Sequence, residues 1–125
     1  MAYTILVVDD SATVRKFVSA SLEIRGFRVL TACDGVDALE KSSREHVNLI
    51  VTDLNMPNMD GVELVASLRE NPEYHDLPVI VLSSLNEESN GAHLRELGVR
   101  SYLHKPFNCE RIQYEVSKYL SEIEV

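Results

Sequence analysis

The amino-acid sequence predicts an α/β fold, a five-stranded parallel sheet doubly wound by helices. Short apolar runs without polar interruption recur along the chain, the pattern of strands buried on both faces. Each run is followed by apolar residues at three- and four-residue spacing, the period of a helix packed on one side. Chemically distinctive polar residues stand directly after those runs, at the strand ends where open parallel sheets bind ligands.

Ile5-Leu6-Val7-Val8 reads as the first strand and ends in Asp9-Asp10. Ser11 can cap a helix carrying Val14, Phe17, Val18 and Leu22 on its inner stripe, and Gly26 stands where a helix C-terminus favours a left-handed residue. Residues 27–32 follow as a strand, residues 35–44 as a helix with Ala38 and Leu39 inward, and residues 47–52 as an apolar strand ending at Asp53. A Pro/Asn/Gly-rich loop over 55–61 leads to a helix over 62–70 with Leu64, Val65 and Leu68 on one face, which Asn71-Pro72 stops. Pro78 opens the strand Val79-Ile80-Val81-Leu82, followed by a helix over 87–97 ending at Gly98. That helix carries Asn90-Gly91, both weak helix formers, which predicts soft outer turns. Tyr102-Leu103-His104 is the fifth strand, and Ile112, Val116 and Leu120 pattern a last helix over 109–123. Five strands alternating with five helices specify a parallel sheet, because right-handed crossovers put helices on both faces.

The 125 residues fit one domain, residues 1–125, by the usual range of about 100 to 200 residues per domain. Twelve basic against 20 acidic residues give a net charge of −8, the wrong sign for gripping nucleic acid phosphates. No apolar run is long enough to span a bilayer, and the start lacks the basic segment of a signal peptide, so no membrane insertion is expected. Cys33 and Cys109 form no disulfide framework and no CxxC pair, which fits a reducing, cytoplasmic setting.

The strand ends bring Asp9, Asp10, Asp53, Ser83, Ser84 and Lys105 toward one rim. Three converging carboxylates repel one another, and a divalent cation with a lysine removes the conflict. Their hard oxygens suit Mg²⁺. A carboxylate can also act as a nucleophile toward phosphorus, and phosphoryl transfer is mostly positioning and charge neutralisation. Asp53, Lys105 and Ser83 meet that specification. Each residue alone has a plainer reading: Asp9-Asp10 as a helix cap, Asp53 as a turn residue, Lys105 as a surface lysine, Ser83 as an ordinary strand-end serine and Tyr102 as core. His46, His75, His93 and His104 show no metal-ligand spacing and read as structural or surface residues.

The strings Ile5-Leu6-Val7-Val8-Asp9-Asp10, Asp53-Leu54-Asn55-Met56-Pro57-Asn58-Met59-Asp60-Gly61, Val81-Leu82-Ser83-Ser84 and Tyr102-Leu103-His104-Lys105-Pro106-Phe107 resemble the receiver domain of two-component response regulators, in particular the single-domain receivers of chemotaxis. The resemblance covers nearly the whole chain and implies a flavodoxin-like (βα)5 fold with strand order 2-1-3-4-5. It implies that Asp53 accepts a phosphoryl group, that Asp10 and Asp53 bind Mg²⁺ directly, that Asp9 acts through water, and that Asn55 offers its backbone carbonyl. Ser83 would bond a phosphoryl oxygen, Lys105 would pair with another, and Tyr102 would turn inward when Ser83 is recruited. A cis peptide bond would precede Pro106.

Ser83 stands where many members carry Thr, which keeps the hydroxyl but drops the stiffness of a β-branched side chain. The resemblance implies that Asn55 and Leu85 occupy positions that influence phosphoryl lifetime in the family, and Leu85, being apolar, cannot orient water. The implied partners are a sensor histidine kinase or phosphotransfer protein, and a downstream protein on the face of helix 4, strand 5 and helix 5. The implied activity is a switch that catalyses only its own modification. Two alternatives stay open: the excised receiver of a larger regulator or hybrid kinase, against which the lack of a linker after Val125 speaks, and a flavodoxin-like flavin or nucleotide module, against which the lack of a phosphate-binding loop after strand 1 speaks.

Overall fold

The computed structural model describes residues 3–83, 91–99 and 101–120. Five parallel strands, β1 (Thr4–Val8), β2 (Arg28–Ala32), β3 (Leu49–Asp53), β4 (Val79–Ser83) and β5 (Ser101–His104), pair in the order β2-β1-β3-β4-β5. The helices are α1 (Ala12–Glu23), α2 (Gly35–Arg44), α3 (Gly61–Arg69), α4 (Gly91–Glu96) and α5 (Cys109–Ser117), with a 3-10 turn at Pro72–Tyr74. The sequence thus predicts all five strands and all five α-helices but not the 3-10 turn; most described ends fall within one or two residues of the expected ones, as fraying allows, whereas α5 stops at Ser117 instead of running to residue 123. Asp53 is the last residue of β3 rather than the first of the loop. Helix α3 starts one residue earlier than its pattern suggests, because Asp60 and Glu63 form a reciprocal capping box around its first turn. Ser84, Leu85, Glu87 and Asn90 lie outside the described residues.

The central strands β1, β3 and β4 are buried along their full length, as their uninterrupted apolar runs require. Alternation along the strands divides the interior into two clusters. Leu6, Val8, Ile50 and Val81 pack with Ala38, Leu64, Leu68 and Leu94 of α2, α3 and α4. Ile5, Val7, Val51 and Leu82 pack with Val18, Leu22, Ile112 and Val116 of α1 and α5. Each fully buried aliphatic side chain contributes roughly 1.5–3 kcal/mol. Phe17, expected on the inner stripe of α1, is 43% exposed: it sits at the margin of the packed face, stacked on Phe107 at a centroid distance of 6.4 Å. No helix among the described residues is long and apolar enough to cross a membrane.

Four helices begin at the carboxyl edge of the sheet with side-chain caps from Ser11, Asp34, Asp60 and Asn108. Those caps satisfy backbone amides that would otherwise have no partner. Gly26, at φ 91°, and Gly98, at φ 89°, close α1 and α4 with left-handed residues. At the opposite edge, Arg69 donates to the carbonyl oxygens of Leu97 (2.6 Å), Leu77 (2.8 Å) and Tyr74 (3.2 Å). Tyr74 is 1% exposed and donates to Ser42 O at 3.0 Å while accepting from Val47 N at 3.2 Å.

Gly61 sets the distance between α3 and β3. A Cβ there would stand 2.3 Å from the carbonyl oxygen of Asp53, a backbone atom that cannot swing aside. Gly61→Ala is expected to destabilise the protein by about 1–3 kcal/mol through overpacking. Urea unfolding measures it, and an unchanged midpoint would mean that α3 moves freely relative to β3.

Candidate functional site

The loops at the carboxyl edge carry the candidate residues. Asp9 and Asp10 follow β1, and Asp9 stays tied to the sheet because its amide donates to Ala32 O at 3.1 Å. Asp9 and Asp53 are buried while Asp10 is exposed, and one carboxylate oxygen from each lies within 4.8 Å of the others. Lys105 Nζ reaches Asp53 Oδ1 at 3.6 Å from the end of β5. The Asp53 carboxylate also accepts from the Leu54 amide at 2.8 Å. Four predicted residues, Asp9, Asp10, Asp53 and Lys105, are therefore gathered into one acidic rim facing a lysine. The helix-cap reading of Asp9-Asp10 gives way, because Ser11 is the N-cap of α1, its hydroxyl accepting from Val14 N at 3.3 Å.

Asp9 has one oxygen engaged by the Ser11 amide at 2.8 Å, whereas its Oδ2 is buried without a hydrogen-bond partner among the described residues. Burial pushes its carboxyl above the usual range, against the opposing pull of the Ser11 amide and the Lys105 ammonium, and the neighbouring Asp10 adds to the rise. A buried carboxylate oxygen with no donor, beside two further carboxylates, fits a hard divalent cation such as Mg²⁺.

Asn55 lies exposed on the loop two residues beyond Asp53. That loop is pinned from the side: Asn58, at φ 67°, donates from Nδ2 to Asp34 Oδ2 at 2.7 Å, and Gly35 N donates to Met59 O at 3.1 Å. The Asp37 amide and the Asn58 carboxamide hold the Asp34 carboxyl below its ordinary range. Sequence reading missed this latch, since nothing in the spacing of Asp34 and Asn58 shows that their loops meet.

Ser83 and Tyr102 are placed differently from the acids. By strand alternation Asp9, Asp53 and Lys105 share the α1/α5 side, while Ser83, Tyr102 and His104 share the α2/α3/α4 side. Ser83 Oγ is engaged by His104 Nδ1 at 3.1 Å. His104, expected as a structural or surface residue, is exposed and adds a hydrogen bond that the sequence reading did not foresee. Ser83 and His104 are direct register partners at the ends of β4 and β5, which equal distances to the two strand ends could have signalled. Tyr102 packs partly buried against the α2/α3/α4 cluster, with its hydroxyl buried and unpartnered among the described residues. Burial pushes that phenol upward, with the Arg95 charge opposing. The Lys105–Pro106 peptide bond is cis, as the resemblance implied.

Residues 5–117 match the family described as response regulator receiver domain. The chain belongs to that family. It is 39% identical over 108 residues to protein PilG of Pseudomonas aeruginosa, covering 86% of this chain and 80% of PilG. It is 35% identical over 121 residues to the alkaline phosphatase synthesis transcriptional regulatory protein PhoP of Bacillus subtilis, covering 97% of this chain and 50% of PhoP. Of the transcriptional regulators that it matches, this receiver spans about half the length. Among solved structures, the chemotaxis protein CheY4 of Vibrio cholerae superposes with a TM-score of 0.90 at 32% identity, covering 95% of this chain and 99% of that one. Receiver domains are signalling switches of two-component systems, and they typically bind Mg²⁺ at an acidic pocket.

An acid whose pKa is raised on folding favours the folded state when protonated. That contribution is fully present below its unfolded pKa and is lost as pH rises through the raised value. At neutral pH the ionised Asp9 thus weighs against folding in metal-free solution. Asp9→Asn is expected to melt higher than the parent at pH 7 with a chelator present, with the gain vanishing on acidification below the ordinary carboxylate range. Identical melting curves at pH 7 would show that the carboxylate carries no desolvation penalty.

Proposed function

We propose that this receiver is a phosphorylation-dependent switch in which Asp53 accepts a phosphoryl group from a sensor histidine kinase or phosphotransfer protein, with Mg²⁺ as cofactor. The observation that carries this reading is the setting of Asp53: buried at the end of β3, within 4.8 Å of two further carboxylates and 3.6 Å from the Lys105 ammonium. An Asp53 carboxylate oxygen attacks phosphorus, and the bond from phosphorus to the donor's histidine nitrogen breaks with its electron pair leaving on that nitrogen. Asp9, Asp10 and Asp53, with the backbone carbonyl of Asn55, would hold the Mg²⁺. When bound, the ion supplies charge neutralisation to the phosphoryl oxygens. Lys105 pairs with another of those oxygens, and Ser83 donates to a third.

The response passes to Tyr102 and to the face formed by α4, β5 and α5, where a downstream protein binds. Tyr114 of α5 supports this choice of face, being 62% exposed with the Lys118 ammonium 5.2 Å from its ring centroid. A large aromatic beside a cation suits a partner surface. The close likeness to a chemotaxis protein supports a free-standing chemotaxis-type role. The half-length match to transcriptional regulators supports a second reading, as the receiver part of a longer protein, which the length of the natural protein on an immunoblot would decide.

Intact mass after incubation with a small phosphodonor and Mg²⁺ tests the proposal. The wild type is expected to gain one phosphoryl group and Asp53→Asn none. A Mg²⁺-dependent phosphoryl mass persisting in that variant would move the acceptor elsewhere. Lys105→Ala is expected to bind Mg²⁺ at least as tightly as the wild type, because a repelling cation is removed. Its affinity for the phosphoryl mimic beryllofluoride should fall about 10-fold or more, the worth of a charge-assisted hydrogen bond. Calorimetric titration measures both, and weakened Mg²⁺ binding would place the lysine outside the site.

A further inference from the structure

Ser83 ends β4 and His104 ends β5, facing each other in register. The Ser83 hydroxyl belongs to a residue only 5% exposed, and its hydrogen-bond partner among the described residues is His104 Nδ1 at 3.1 Å. A serine hydroxyl has one proton to give, and a phosphoryl oxygen is purely an acceptor. If Nδ1 carried a hydrogen, the Ser83 proton would be buried with no acceptor among the described residues, a costly arrangement. With Nδ1 as acceptor the hydroxyl is satisfied, and the N–H falls on Nε2 of an exposed side chain. With Ser83 as donor and His104 Nδ1 as acceptor, the hydroxyl proton is satisfied among the described residues.

We propose that His104 is a positioning residue for the switch hydroxyl: it holds the Ser83 proton in the resting protein and competes for it with the phosphoryl group on Asp53. The proposal rests on the reading of Asp53 as acceptor and Ser83 as responder. The two competitors lie on opposite sides of the sheet edge, His104 with Tyr102 on the α2/α3/α4 side and Asp53 with Lys105 on the other. Transfer of the hydroxyl bond from one to the other is thus a change of side. It also removes a bond from the residue two positions after Tyr102 on the same face of β5.

Calorimetric titration with beryllofluoride at saturating Mg²⁺ tests the competition. His104→Ala is expected to bind the mimic about fivefold more tightly than the wild type, the equivalent of one ordinary net hydrogen bond. Its affinity for Mg²⁺ alone is expected to stay unchanged, which a merely structural disturbance would not allow. His104→Asn places an amide oxygen at the branch position of Nδ1 and is expected to restore wild-type affinity, whereas His104→Gln, with its amide one bond further out, is not. In a Ser83→Ala background the His104→Ala gain is expected to vanish.

Nitrogen-15 NMR of the unliganded protein supplies a second measurement, with His104 expected to show an unprotonated Nδ1 whose shift changes in Ser83→Ala. Equal beryllofluoride affinity of His104→Ala and wild type, a gain that survives without Ser83, or a protonated Nδ1 would each overturn the proposal. A wild type that binds no beryllofluoride with Mg²⁺ would overturn the acceptor reading and this proposal together. Binding that ignores His104 would overturn this proposal alone.

Discussion

Mutual repulsion among three carboxylates, two of them buried at the ends of buried strands, is the constraint around which the carboxyl edge is arranged. Beneath Asp9 and Asp53 lie the apolar strands β1 and β3, both fully buried. Screening by solvent is correspondingly weak there. One lysine faces three acids, which leaves two net negative charges when all are ionised. The unpartnered Asp9 Oδ2 and the raised Asp9 pKa are two signs of the same imbalance. A doubly charged cation is equal to it in magnitude and opposite in sign, which is why an acidic pocket of this kind and a hard divalent metal suit each other physically.

Holding like charges together demands a rigid frame, and the surrounding loops provide it with close backbone packing and hydrogen bonds, most of them to backbone atoms. Asp53 O meets α3 at Gly61, where the chains approach too closely for any side chain. The capping box of Asp60 and Glu63 starts α3 immediately behind that contact. The Asp34–Asn58 hydrogen bond joins the β2–α2 turn to the loop after β3, and Arg15 adds a bond from its guanidinium to Asp9 O at 2.6 Å.

The strands were legible in the sequence because a strand buried on both faces leaves no choice of residue type, and the β1, β3 and β4 segments are accordingly unbroken apolar runs. The acids and Lys105 were legible because each ends such a run. Contacts between segments distant in the chain were not. Tyr74 reads as a loop residue, yet it is core, since its hydroxyl reaches Ser42 O some 32 residues away. Nothing in the sequence singles out Arg69, yet it ties three carbonyl groups together. His104 carries no motif of its own, and its hydrogen bond to Ser83, 21 residues away in the chain, depends on the register of β4 and β5. Phe17 fits the helical period but lies at the edge of the stripe, where period alone does not separate buried from marginal positions.

The division of the interior by the sheet has a consequence for how substitutions combine. The two side-chain clusters are separated by a layer of backbone, so a residue such as Leu64 and one such as Ile112 share no packing neighbours. Free-energy changes from residues in separate clusters add, whereas those within one cluster interact through common voids. In this sense the protein is thermodynamically two half-cores joined by one set of hydrogen-bonded strands. Sequence drift can proceed independently in each half, provided that the strand edge where the halves meet keeps its polar residues in place.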